Sequence, residues 1–210
     1  MFDTTRDWSV AEFRHLVTQR GSRDLEHDSG DHVLNPDLDQ LMERTSARDA
    51  AVLVPIVDRP DGATVLLTTR ASGLRKHSGQ IAFPGGSVDP EDASVEAAAL
   101  REAMEEVALE PRFVETLGRL PRYRTTTGFR ITPVLGLVSP GFSLVPDPSE
   151  VADAFEVPLS FLMTEANHRR DSREWGGHMR HFYSMPFGER MIWGVTAGIL
   201  RTLYERLYRI

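Results

Sequence analysis

Cysteine is absent from the 210 residues, which removes disulfides, thiolate metal centres and a cysteine nucleophile from consideration. Lysine is almost absent: Lys76 is the only one, so positive charge is carried by arginine, a compositional bias rather than a sign of phosphate recognition. No apolar run approaches the length that crosses a bilayer, and the opening residues, with Asp3, Asp7 and Trp8, lack the profile of a secretory signal. A positive balance is missing as well. With 24 basic against 31 acidic residues the net charge is −7, which gives no general attraction to nucleic acid or an anionic membrane, so any anion site must be local. These absences lead to the expectation of a cytoplasmic protein with a small-molecule partner and without nucleic acid or membrane; a homodimer stays open. The length suits one domain of ordinary size with a sizeable core and a terminal extension.

What is present centres on the run from Gly85 to Leu109, GGSVDPEDASVEAAALREAMEEVAL. A glycine pair and an Asp/Pro turn precede residues of strong helix propensity, which predicts a helix from about Ala93 to Val107. Glu102, Glu105 and Glu106 then fall at i, i+3 and i+4, so three carboxylates share one face within a turn, while Leu100, Met104 and Val107 form a stripe with core spacing. Arg101, four residues before Glu105, offsets only part of the repulsion. A glutamate-rich helix by itself usually presents a solvated face. Its flank argues otherwise: Gly85 and Gly86 follow the apolar run Ile81 to Pro84, and residues without Cβ let the backbone approach a metal or phosphate. Hard oxygen ligands without thiolate or imidazole suit Mg²⁺ or Mn²⁺.

Along the rest of the chain, Ser9 to Glu12 reads as a capping box that starts a short helix bearing Val10, Phe13 and Val17. Residues 21–49 are polar and read as a mobile connector or lid. Ala50 to Val57 and Val65 to Thr69 form a hairpin around the turn Arg59-Pro-Asp-Gly62. The next segment concentrates Arg70, Arg75, Lys76 and His77 and leads straight into the glycine pair, a placement suited to an anionic substrate. After the helix, residues 112–117, 131–138 and 151–159 read as strands, with Arg119, Arg122, Tyr123, Arg124 and Arg130 as a second anion-contacting rim and Glu150 where a loop meets the third strand. Residues 166–175 read as polar loop, 178–183 and 190–193 as a last hairpin, and 196–207 as a closing amphipathic helix. The histidines have no recognisable ligand spacing.

The central run resembles the Nudix box, in which a glycine, a glutamate and an Arg-Glu-x-x-Glu-Glu core recur at fixed intervals. Gly86, Arg101, Glu102, Glu105, Glu106 and Leu109 match it; the interval from Gly86 to Arg101 is one residue longer, leaving the first glutamate at Asp92 or Ala93, and Ala108 replaces the last glycine. Upstream, residues 66–70, 74–77, Gly79-Gln80 and 83–86 are similar to the motif of the coenzyme A pyrophosphatase branch, and further matches reach from Ala50 to about Leu207. The resemblance implies an α/β fold, an α/β/α sandwich around a mixed β-sheet, with residues 1–49 as an N-terminal helix and polar connector and 50–210 as the Nudix hydrolase domain. It implies hydrolysis of the diphosphate of coenzyme A to 4′-phosphopantetheine and adenosine 3′,5′-bisphosphate with Mg²⁺ or Mn²⁺. Glu102, Glu105 and Glu106 are the expected ligands, with the carbonyl of Gly85 or Gly86 beside them and Arg101 orienting a ligand carboxylate; Glu150 or Glu102 is the expected base. Arg70, Arg75, Lys76 and His77 are candidates for the substrate phosphates by chemistry and location. Two alternatives stay open: a Nudix pyrophosphatase for ADP-ribose or a dinucleotide, and a Nudix-like regulator that binds without catalysis.

Overall fold

Alternation of apolar residues over β2 (Arg48–Val57) and β3 (Thr64–Arg70) makes each strand two-faced, and both faces are buried. Ala51, Leu53, Val57 and Leu66 enter one core, whereas Val54, Ile56, Val65 and Leu67 enter the other. A sheet of this kind needs a helical layer on each side. The computed structural model, which describes residues 6–21, 25, 27–38, 47–73, 78–175 and 177–209, supplies them.

The described elements begin with α1 (Val10–Arg20), capped by Ser9, whose hydroxyl accepts from the Glu12 N–H. There follow β1 (Ser29–Gly30), β2, β3, β4 (Ile81–Ala82), β5 (Gly85–Ser87), α2 (Val95–Val107), β6 (Val114–Arg119), β7 (Tyr123–Arg124), β8 (Phe129–Val138), β9 (Val151–Pro158), α3 (Leu159–Leu162), β10 (Arg169–Trp175), β11 (His178–Phe187), β12 (Arg190–Trp193) and α4 (Val195–Leu203), which continues as a π-helical turn over Tyr204–Tyr208. The main sheet is mixed. β2 pairs in parallel with β8 from Arg48↔Phe129 to Val57↔Val138, and antiparallel with β3 and β5; β9 runs antiparallel to β3 and β6 to β8. On one face lies α2, packed through Ala98, Ala99, Ala103 and Val107. On the other lie α1 and α4 through Phe13, Leu16, Ile199 and Leu203. The expected α/β/α sandwich is therefore the observed fold.

Three details depart from the sequence reading. Part of the polar stretch before β2 carries regular pairing: Ser29 and Gly30 pair with Tyr123 and Arg124, and the Asp31 carboxylate accepts from Tyr123 Oη and from the N–H and hydroxyl of Thr126. Residues 169–175, read as loop, form β10, whose residues are exposed on both faces and so show no hydrophobic alternation. In α2, Met104 is 43% exposed and does not belong to the core stripe; alanines take the packing face, which lets the helix approach the sheet closely.

Candidate functional site

The site forms where β5 meets α2. Gly85 lies against β2 with φ +154, and a Cβ there would collide with the Ala51 carbonyl and the Val52 Cα, so only glycine permits this pairing. Gly86 has a different reason. A Cβ on it would stand 2.5 Å from both carboxylate oxygens of Glu102, so the missing side chain is the space in which that carboxylate sits.

Ser94 caps α2 by accepting the Ala97 N–H, so the helix starts at Val95, two residues after the expected start at Ala93. Arg101 then ties helix, turn and strand together. Its guanidinium donates to both oxygens of Asp92 (3.1 and 3.0 Å), to Glu102 (3.0 Å), to Glu105 (3.0 Å) and to the Ser87 carbonyl (3.1 Å). This settles which residue takes the ambiguous acidic position. Asp92, not Ala93, meets the arginine, and its carboxyl is held below the usual carboxylate range, chiefly by that fork. Asp92 is thus the residue that holds Arg101, a position the sequence left undecided; the clue was that only one of the two candidates carries a carboxylate.

The three glutamates do not share one environment. The Glu105 side chain is 60% exposed and leans on Arg101, whereas Glu106 turns toward the sheet and is only 3% exposed. One Glu106 oxygen accepts the Gly85 N–H at 3.1 Å and the other lies 3.9 Å from the Arg70 guanidinium. Burial pushes the Glu106 pKa up to about 7, against the Gly85 hydrogen bond and Arg70, with Glu102 and Glu150 adding repulsion. Glu102 is raised for the same first reason, opposed by Arg101 and reinforced by Glu105 and Glu150. Among the described residues, no three carboxylates or imidazoles converge as a ready ligand set. The donor chemistry nevertheless fits a hard divalent cation: oxygen ligands only, a repulsive excess of negative charge, and a glycine that lets the Glu102 carboxylate lie against the backbone at Gly86.

Glu150 reaches this neighbourhood by a pinned loop. The Glu106 carbonyl accepts the Asp147 N–H, the Asp147 side chain accepts from Ser149, and the Asp147 carbonyl accepts from Glu150 N–H. Across β3, the register slips between Thr69↔Asp153 and Arg70↔Val151, and the bulge directs Arg70 toward α2. The Ala71 N–H donates to the Glu150 carbonyl, while Arg70 exchanges backbone bonds with Gln80 and Gly79, so the two ends of the basic segment meet beside Glu106. Arg75, Lys76 and His77 lie outside the described residues.

The second rim expected from Arg119, Arg122 and Arg130 is engaged internally. Arg119 forks onto Glu96, Arg130 onto Asp49, and Arg122 lies 3.7 Å from Asp28; Tyr123 is buried. Ala108, in place of the box's last glycine, still ends α2 in the left-handed conformation, with φ 57 and ψ 29.

With this geometry in view, the comparisons with known proteins agree on one family. The NUDIX domain profile matches residues 47–176. Proteins named "Uncharacterized Nudix hydrolase NudL" are similar to the chain: that of Cronobacter sakazakii is 48% identical over 165 residues, 77% of this chain and 85% of the relative, and that of Klebsiella pneumoniae strain 342 is 43% identical over 193 residues, 82% and 95%. Among solved structures, the NUDIX domain of Shewanella oneidensis NrtR complexed with ADP ribose aligns with a TM-score of 0.50 at 19% identity, over 79% of this chain and 91% of that one. DR0079 from Deinococcus radiodurans aligns at 0.51 and 15%, over 79% and 86%. These two likenesses concern the fold.

Proposed function

The chain belongs to the Nudix hydrolase family, and from that premise we propose that it hydrolyses the diphosphate bond of coenzyme A, releasing 4′-phosphopantetheine and adenosine 3′,5′-bisphosphate. The observation that carries this reading is the meeting of a buried, under-neutralised carboxylate, Glu106, with Arg70 at the joined ends of the basic segment. Acid for a cation and base for an anion stand side by side.

In this reading Glu102, Glu105 and Glu106, with the backbone at Gly86, hold Mg²⁺ or Mn²⁺, the ions that Nudix hydrolases generally use. A bound divalent ion neutralises diphosphate oxygens and makes water a better nucleophile. Arg101 keeps Glu102 and Glu105 oriented from behind, through Asp92 and Ser87, without touching substrate. Glu150 accepts the proton of the attacking water as its oxygen bonds to one phosphorus and the bridging P–O bond breaks, sending the other phosphate out as leaving group. Arg70 takes charge from the departing phosphate. The sequence segment with Arg75, Lys76 and His77 is assigned the 3′-phosphate of the adenosine.

The test is to incubate the protein with Mg²⁺ or Mn²⁺ and coenzyme A, dephospho-coenzyme A or ADP-ribose in turn, identifying products by mass. Loss of the 3′-phosphate deletes a charge-assisted contact, so dephospho-coenzyme A is expected to be about ten- to a hundredfold poorer in kcat/KM. ADP-ribose should be poorer still. A preference for ADP-ribose would refute the substrate assignment and leave diphosphate hydrolysis standing. No hydrolysis of any of the three would favour the binding-module alternative.

A further inference from the structure

β10 is unlike every other strand among the described residues: each residue from Arg169 to Trp175 is exposed. Its inner edge pairs with β11, from Arg169↔Ser184 to Trp175↔His178, and its outer edge faces no strand among the described residues. Such an edge is a template for another strand. The side chains add a second peculiarity. In a protein that pairs most of its arginines, Arg169, Arg170, Arg173 and Glu174 have no ion-pair or hydrogen-bond partner among the described residues. Trp175 is 62% exposed, with Arg180 over one face of its ring.

We propose that β10 is a homodimer interface, in which two copies of the chain pair β10 antiparallel with itself about Ser172. In that alignment Arg170 faces Glu174 of the partner subunit, Asp171 faces Arg173 of the partner subunit, and Arg169 faces the ring of Trp175 of the partner subunit. Every charged residue of the strand thereby meets an opposite charge or an aromatic ring directly across, the arrangement that stabilises a strand pair. Because the axis is twofold, each contact occurs twice, as an isologous interface requires.

Backbone geometry admits the same register. A two-residue connection closes a hairpin on a hydrogen-bonded pair, here Trp175 and His178. Alternate residues Arg169, Asp171, Arg173 and Trp175 therefore bond to β11, and Arg170, Ser172 and Glu174 turn their N–H and C=O outward. Centring on Ser172 sets outward groups against outward groups. Moving the centre one residue, to Asp171 or Arg173, keeps that match, because even-numbered residues still oppose even-numbered ones, but places each of those residues opposite its own like charge. Moving it two, to Arg170 or Glu174, likewise keeps the match and opposes like charges. Of these centres, all admitted by the backbone, only Ser172 opposes no like charges.

Sedimentation velocity of the full chain over a concentration series tests this. The wild type is expected to dimerise with rising concentration, and added salt should weaken the dimer. Ser172→Pro removes an outward N–H at the centre and leaves the bonds to β11 in place, so the variant should keep its melting temperature and lose the dimer. Arg170→Glu and Glu174→Arg should each weaken self-association on the order of tenfold, because each sets like charges opposite at two symmetric places. Mixed together, they should associate as the wild type does, since each reversed residue then faces its complement. A wild type that stays monomeric throughout, a dimer indifferent to Ser172→Pro, or charge variants that associate no better mixed than alone would overturn the proposal.

Discussion

Two groups of carboxylates in this chain meet opposite fates. Glu96, Glu115 and Asp49 each receive a two-bonded arginine fork, from Arg119, Arg14 and Arg130, and each carboxyl is held below its usual range chiefly by that hydrogen bonding. At the junction of β5 and α2, Glu102 and Glu106 are pushed upward, chiefly by burial. Arginine is not scarce in this protein. The surface pairs are balanced within the fold, whereas the buried pair retains an excess of negative charge that a cation from outside would offset. The imbalance, more than the number of acids, distinguishes a site from a salt-bridged surface.

The largest effect should come from removing the excess. Glu106→Gln keeps shape and deletes one charge, so turnover of a diphosphate substrate with Mg²⁺ is expected to fall by ~10²-fold or more. Initial rates of product release decide it, and near-wild-type turnover would refute the role of Glu106. The same substitution has a second readout in the metal-free protein. The folded-state pKa of Glu106 is about 7 against an ordinary 4.5, so between those values the folded state keeps a proton that the unfolded chain has released. Stability from this group therefore falls as pH rises from 4.5 to about 7 and is level above, by up to about 3 kcal/mol. In urea melts, Glu106→Gln should gain over the wild type progressively across that window. Equal pH slopes for the two proteins would mean that the buried charge carries no strain. Divalent cation should restore stability to the wild type above pH 7 and much less to the variant.

How much of this was legible beforehand differs by element. β2, β3, β8 and the box helix announced themselves because long apolar runs and unbroken helix formers leave few alternatives; Gly62 marks the turn between the first two, and Ser9 marks the start of α1, where backbone and side chain are used. β10 was illegible: a strand exposed on both faces has no alternation to read. The glutamates were found as a trio, but spacing alone could not tell that Glu106 turns inward and Glu105 outward, because alanines share the packing face of α2 and carry little hydrophobic signal. The rim of arginines was misjudged for a similar reason. Asp28, Asp49 and Glu96 lie far from them in sequence, and only the fold brings the partners together.

A smaller effect separates backbone strain from charge strain on the same helix. Ala108 ends α2 in the left-handed region, where an L residue with a Cβ is disfavoured and glycine is not. Ala108→Gly should stabilise the protein by about 1 kcal/mol, raising the melting temperature by roughly 2–4 °C for a chain of this size. Unlike the gain from Glu106→Gln, this one should be the same at every pH. A gain that grew with pH would show that the helix end and the buried carboxylate are coupled.

The smallest effect belongs to the balanced group, and its pH dependence runs the other way. Arg130 and Asp49 are largely exposed, so solvent screens them, and an exposed pair of this kind contributes roughly 0.2–1 kcal/mol. Arg130→Gln should lose that amount at neutral pH and leave turnover unchanged. The Asp49 carboxyl is lowered from its ordinary 3.8 by Arg130, so the contribution is present above that value and lost as pH falls through the folded-state pKa. In acid, wild type and variant should therefore converge, whereas wild type and Glu106→Gln diverge only as pH rises above 4.5. Denaturant melts of the three proteins at acid and neutral pH measure both trends at once. If Arg130→Gln instead reduced turnover, the rim at residues 119–130 would belong to the substrate site after all, and the division between balanced and unbalanced carboxylates would lose its functional meaning.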